Sequence, residues 1–284
     1  MPIFKKESET PVQSNLGLKS HEVAASPDRR TSTLPETNRT LSNKNRENRL
    51  KMPRLKLNLP PLIVPQHIPL PTPKVSKEIK NEDVANLLKE MDTQPKSSFK
   101  NADFHGSYQT LSQGDYENQC SGYKLSNVPF GDVFIHANKE NESRKYLGDK
   151  IHISIDRTQL SAGFDSILPI LLSEDSPIDK WKVTDLNRCP PDSRVAVGAQ
   201  LTLYVKADKE SGYVPAELKK VKDFLEEIEL TLSQSSTLPG EKPQSDVSAA
   251  NWNFISYRNE NRSDREGGAS HLLYEEPFFQ VISN

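Results

Sequence analysis

The stretch KIHISI, residues 150–155, decides the fold. Its apolar side chains, Ile151, Ile153 and Ile155, recur at every second position. In an extended chain they share one face, and Lys150, His152 and Ser154 share the other. Three isoleucines in register belong against a core, so this is a half-buried strand whose second face is polar and chemically equipped. The same alternation returns twice. Within 180–184, Trp181 and Val183 take the buried face, leaving Lys180, Lys182 and Thr184 opposite. Within 199–206, Ala199, Leu201, Leu203 and Val205 alternate with Gln200, Thr202, Tyr204 and Lys206. Set side by side with aligned faces, these strands line one surface with Lys150, His152, Lys182 and Tyr204.

Outward from these strands the pattern changes to helical spacing. Strands are predicted over 132–137, 151–155, 181–186 and 197–206. A helix is predicted over 158–172 from Phe164, Ile167, Leu168, Leu171 and Leu172, with Pro169 kinking it or ending it early. Another is predicted over 215–233, where Leu218, Val221, Leu225, Ile228 and Leu232 form one apolar stripe beneath an acid-rich outer face. Order begins with a helix at 81–92, for which Val84, Leu87, Leu88 and Met91 supply the stripe and Asn81 the cap. The expected class is α+β, a mixed twisted β-sheet with surrounding helices over 81–284.

Residues 1–80 read differently. They hold one aromatic, Phe4, eleven of the 21 prolines, and 15 Lys plus Arg against 7 Asp plus Glu. Such a segment buries too little apolar surface to offset the entropy of ordering it, and a disordered tail is expected. One piece of it is patterned. Arg46, Arg49, Lys51 and Arg54 lead into Leu55, Leu57 and Leu59, which alternate with Lys56 and Asn58 before Pro60 and Pro61. Extended, the leucines form a row for a hydrophobic groove while the basic residues meet an acidic surface, as in a kinase docking peptide. A solvated, proline-punctuated linker is the competing reading of 46–60. The whole chain carries a net charge of −2, which argues against a dedicated nucleic-acid binder. No apolar run approaches the roughly 20 residues that cross a bilayer, and none of signal-peptide type follows Lys5 and Lys6. Cys120 and Cys189 have no metal-ligand or disulfide spacing, which suits a reducing compartment.

The polar surface offers a base and an acid but no metal-ligand cluster and no Ser or Cys nucleophile motif. Cys189 to Arg194 superficially has the ends of a cysteine-phosphatase loop. Four residues stand between them, however, where such loops have five, and Pro190 and Pro191 lack the N–H groups that cradle phosphate. From the residues alone, a catalytic face and the ordinary lysine decoration of a half-wet sheet both remain open.

Six motifs narrow this. GDVFIHA (131–137), GDKIHIS (148–154), SEDSPIDKWKVTD (173–185), SRVAVGAQLTLYVK (193–206), SYRNENRSDREGG (256–268) and EEPF (275–278) resemble, in order and spacing, the type III effector phosphothreonine lyases of OspF/SpvC type. The resemblance spans roughly residues 100–284. It implies elimination of phosphate from the activation-loop phosphothreonine of host MAP kinases, leaving dehydrobutyrine and suppressing immune signalling. Carried over by motif, Lys182 is the general base, His152 the general acid, and Tyr204 the support of Lys182 and the developing charge. Lys150, Arg194, Arg258 and Arg265 hold the phosphate, for which charge-assisted and bidentate donors are suited. An ordinary lysine pKa of about 10.4 must fall by roughly 3 units, or ~4 kcal/mol, for such a base to work near neutrality. The chemistry calls for no metal and no cofactor.

The resemblance also implies phosphotyrosine recognition, with Phe134 matching the family and Tyr146 standing where Phe is frequent. Ile151 replaces a common Phe, and Asn138 with Lys139 occupies a segment that usually has Arg. Trp181, Trp252 and His136 are assigned to packing or orientation. In the family the docking sequence lies near the amino terminus and begins with a Met-Pro like Met52 and Pro53. The preceding residues are therefore expected to carry a secretion signal and a chaperone-binding segment, for type III export into the cytoplasm or nucleus of a host cell. A non-catalytic protein that sequesters kinases is the rival expectation.

Overall fold

The computed structural model describes residues 78–127, 132–140, 144–208, 211–263 and 265–284; the expected docking segment 46–60 and all but the last three residues of the expected tail lie outside them. The described chain builds seven strands and six α-helices: α1 Val84–Asp92, α2 Tyr108–Leu111, β1 Glu117–Cys120, β2 Tyr123–Ser126, β3 Phe134–Lys139, β4 Arg144–Ile153, α3 Leu160–Leu171, β5 Lys180–Thr184, α4 Arg194–Val197, β6 Leu201–Asp208, α5 Pro215–Gln234, β7 Ile255–Asn259 and α6 Pro277–Ser283. Among them no helix is long and apolar enough to cross a membrane.

The strands form one sheet in the order β1-β2-β3-β5-β6-β4-β7. Every ladder between them is antiparallel, so the α+β class holds but the sheet is not mixed. Antiparallel pairing is compatible with the alternation, because such a sheet can cover one face and leave the other wet. Ile135, Ile151, Ile153, Trp181, Val183, Leu201, Leu203 and Tyr257 are buried on the covered face. The core continues into Phe164, Ile167 and Leu171 of α3, Leu218, Phe224 and Ile228 of α5, and Phe278 and Phe279 of α6.

Several boundaries move for physical reasons. The strand expected at 197–206 starts at Leu201, because Arg194–Val197 closes a helical turn and Ala199 has a φ of 48°. Gly198 lies so near a neighbouring backbone that an added Cβ would sit 1.8 Å from the Glu241 carbonyl oxygen. Asn81 does not cap α1, which starts after Asp83 with no side-chain cap bond. Pro169 is tolerated inside α3, and its carbonyl accepts the Ala102 N–H at 2.9 Å. The outer face of α5 is not all solvated. Asp223 is buried and accepts the Ser97 N–H, and Glu229 accepts those of Asn253 and Phe254, so two of its acids tether loops.

β4 is longer than expected and contains a register shift between Tyr146 and Lys150. Gly148, at φ 109°, lies in the shift, where a Cβ would meet Asn259 and Asn261 at 2.7 and 2.6 Å. Asp149, two residues before Ile151 and on the same face, is buried beneath the sheet, where it accepts hydrogen bonds from Tyr213, Tyr257 and Asn259 at 2.7, 2.7 and 2.9 Å. Beyond it Lys150 and His152 return to the wet face. Ile151, fully buried between them, anchors the segment. Truncating it in Ile151→Ala should cost about 2–5 kcal/mol, read as a lower urea midpoint at unchanged slope.

Candidate active site

Cross-strand partners in an antiparallel ladder project to the same face, about 5 Å apart. Reading the register across the sheet therefore assembles the site. One row runs His136, Lys182, Thr202, His152, Ser256 through β3, β5, β6, β4 and β7. The next runs Asn138, Lys180, Tyr204, Lys150, Arg258. Lys182 and His152 thus flank Thr202 from opposite sides, and Lys150 stands between Tyr204 and Arg258. The four residues expected to share a face do so, and β7, which alternation did not predict, adds the arginine.

His152 is buried and its Nδ1 lies 2.6 Å from Asp246 Oδ2, on a side chain with no exposure at all. Asp246 also accepts hydrogen bonds from Ser256 and Ser245, both at 2.8 Å. Burial pushes the imidazole below its ordinary pKa against the pull of Asp246. Burial alone would raise Asp246, but the bond and charge of His152, with the two serines, bring its carboxyl below the usual range. The neutral ring donates Nδ1–H to the carboxylate, which leaves Nε2 for the wet face.

Burial likewise lowers the proton affinity of Lys182, reinforced by the charges of Lys150 and Arg265 and opposed by Asp132 and Glu260. Its amine lies 3.6 Å from the centre of the Phe134 ring. Lys150 is also pushed down by burial, although it pairs with Glu260 Oε1 at 3.0 Å. Tyr146 donates to Gly148 O and Glu260 Oε2 at 2.9 and 3.1 Å, and its ring meets Tyr204 edge to face at 5.5 Å. Burial raises Tyr204, so its hydroxyl keeps its proton.

Three arginines approach from β7, the start of α4 and a loop. Arg258 is buried and pinned by Ser263 through Nε to Oγ at 3.1 Å and Nη2 to O at 3.0 Å. Arg194 opens α4 and donates to Ser245 at 3.0 Å. Arg194 and Arg265 line a cavity of about 320 Å³ with Gly198, Lys242 and Gln244. A cavity of about 430 Å³ lies elsewhere, against Glu78, Asp149 and Tyr213, and touches none of the expected site residues. Chemically, the assembled face can grip an anion and present an amine and an imidazole to it. Among the described residues no three His, Cys, Asp or Glu side chains are grouped to hold a metal ion.

Sequence reasoning missed Asp246, Glu260 and Asp132. Asp246 sits in a loop without periodicity and left no signal. Glu260 follows Arg258 by two residues, and alternation would have found it had 255–259 been read as a strand. His136 lies on the wet row beside Lys182, whereas Trp181 and Trp252 are buried in the core. Cys189 is buried with its Sγ 2.8 Å from Ser193 Oγ, and Cys120 is likewise unpaired.

The comparisons with known proteins agree with one another. The OspF/SpvC family model matches residues 33–284. A protein of Salmonella typhimurium strain LT2 named MAPK phosphothreonine lyase is 40% identical over 240 residues, covering 82% of this chain and 99% of its own. Phosphothreonine lyase OspF of Shigella flexneri is 42% identical over 239 residues, with 82% and 98% covered. Among solved structures, the Chromobacterium violaceum VirA (SpvC) phosphothreonine lyase effector superposes with a TM-score of 0.68 at 43% identity, covering 72% of this chain and 99% of that one.

The Asp246 contact is testable directly. Since the carboxylate is what opposes burial at His152, Asp246→Asn should lower the pH at which the imidazole protonates by about one unit or more, followed by NMR of the ring. An unchanged or higher titration would contradict this arrangement.

Proposed function

The chain belongs to the OspF/SpvC family, and we propose that it is a phosphothreonine lyase in which Lys182 and His152 divide the proton transfers of a β-elimination. The observation that carries this is the register placing those two side chains on either side of Thr202, on the face that also bears Lys150 and Arg258. Arg194, Arg258, Arg265 and Lys150 grip the phosphate dianion. The Lys182 amine takes the α-proton, and the electron pair of that C–H bond becomes the Cα–Cβ double bond as the Cβ–O bond breaks. His152 gives its Nε2 proton to the departing phosphate oxygen, while Asp246 steadies the imidazolium form through Nδ1. The bound dianion itself favours that form. Tyr204 supports Lys182 and the charge that develops beside it.

Because no water attacks, the reaction calls for neither a metal-bound hydroxide nor a nucleophile, and we extend the proposal to metal independence. The relatives' names supply the target class, MAP kinases. Phe134 and Tyr146 contact the substrate beyond the phosphothreonine. Residues 81–284 are the lyase domain and 46–60 dock the kinase through Arg49, Lys51, Arg54, Leu55, Leu57 and Leu59. As a family of effectors this is a secreted protein that acts in host cells; we assign its export to the type III route, with residues 1–45 carrying the signal and chaperone contacts.

Incubation of a phosphothreonine peptide with excess EDTA separates the readings. A lyase yields a peptide one water lighter than simple dephosphorylation would; the hydroxyl product or unchanged peptide would overturn the proposal, the latter in favour of sequestration. Lys182→Arg should retain peptide binding and lose turnover by about 10²-fold or more, since guanidinium cannot accept the proton. Deleting residues 1–45 should abolish export and leave phosphopeptide turnover intact.

A further inference from the structure

We propose that Asp132 and His136, with Phe134 between them, form a positioning unit that holds the Lys182 amine and sets its proton affinity; the inference rests on Lys182 being the base. β3 lies beside β5, with His136 directly opposite Lys182 and Phe134 opposite Thr184, so both rings project to the face of the lysine. Asp132, just before the strand, reaches both. Its Oδ1 accepts the Phe134 N–H at 3.1 Å and its Oδ2 lies 2.8 Å from His136 Nε2. The two rings meet edge to face at 6.3 Å, and the lysine amine rests on Phe134 at 3.6 Å. One carboxylate therefore fixes the platform on which the amine stands.

The arrangement balances two demands. A base that is to be neutral cannot form a tight ion pair, and among the described residues no carboxylate lies within ion-pair distance of Lys182. An amine without any partner, on the other hand, would lose its place. The aromatic face attracts the ammonium without a hydrogen bond. Asp132 directs its oxygens to His136 and the backbone, and its remaining field still favours the charged amine. The other groups facing the lysine are Lys180 on its own strand, Tyr204 on β6, Lys150 and His152 on β4, Arg258 on β7, Glu260 just beyond that strand, and Arg265. The cations of this set oppose protonation, so the Asp132 unit is the counterweight on the β3 side.

Asp132→Asn keeps an oxygen for the Phe134 amide and removes the charge. The acid limb of kcat/KM, and the titration of Lys182 followed by NMR of its ¹³C-labelled ε-methylene, should both move to lower pH by about half a unit or more. Phe134→Leu, a swap that keeps an apolar residue on the strand, removes the ring and should shift the lysine titration the same way. A Lys182 titration unmoved in both variants overturns the positioning role. A titration that moves while the rate limb stays put supports the unit and overturns the base assignment instead, so the two failures are distinguishable.

Discussion

Like charge held at close quarters governs this site. Lys150 and Arg258 are direct cross-strand partners, and Lys180, Lys182, Arg194 and Arg265 stand around them. Like charges opposite one another in a sheet destabilise it, by up to about 1 kcal/mol for each pair. Such a cluster persists because the reverse face is covered by buried isoleucine, leucine and aromatic side chains, each contributing about 1.5–3 kcal/mol. Glu260 against Lys150 and Asp246 behind His152 relieve part of the repulsion. What repulsion remains disfavours protonation of Lys182 and Lys150 and leaves a face suited to an anion.

Burial lowers the proton affinity of both Lys182 and His152, but their companions differ. Lys182 sits among cations with its nearest carboxylates held off, so it moves towards the neutral amine that its proposed role needs. His152 has a carboxylate at 2.6 Å, which fixes its ring and readies it to become a cation when an anion arrives. The proposed base and acid are thus distinguished by their second contacts rather than by their exposure.

Geometry of this kind demands a rigid carrier. The central strands β5, β6 and β4 are each paired on both sides, and a one-residue slip in any of them would send its polar set into the core. Past the shift at Gly148, alternation buries Asp149 on the covered side and leaves Lys150, the next residue, on the wet face. The arginines come instead from a strand end, the first turn of α4 and a loop, tied down by a serine where the contact is seen: Arg258 by Ser263 and Arg194 by Ser245.

Alternation alone determined which side chains of three strands face the same way, because a period of two leaves no other choice once Ile151, Trp181 and Leu203 must be inside. Helical spacing likewise placed α3 and α5. The family motifs then attached chemistry to Lys182, His152 and the arginines. Strand order, register and the antiparallel sense were decided only by tertiary structure, because no single strand records which neighbour it pairs with. The same holds for Asp246, 94 residues from His152 in the chain. Its role arises from a contact between loop and strand, and such a contact imposes no periodicity on the sequence that could announce it.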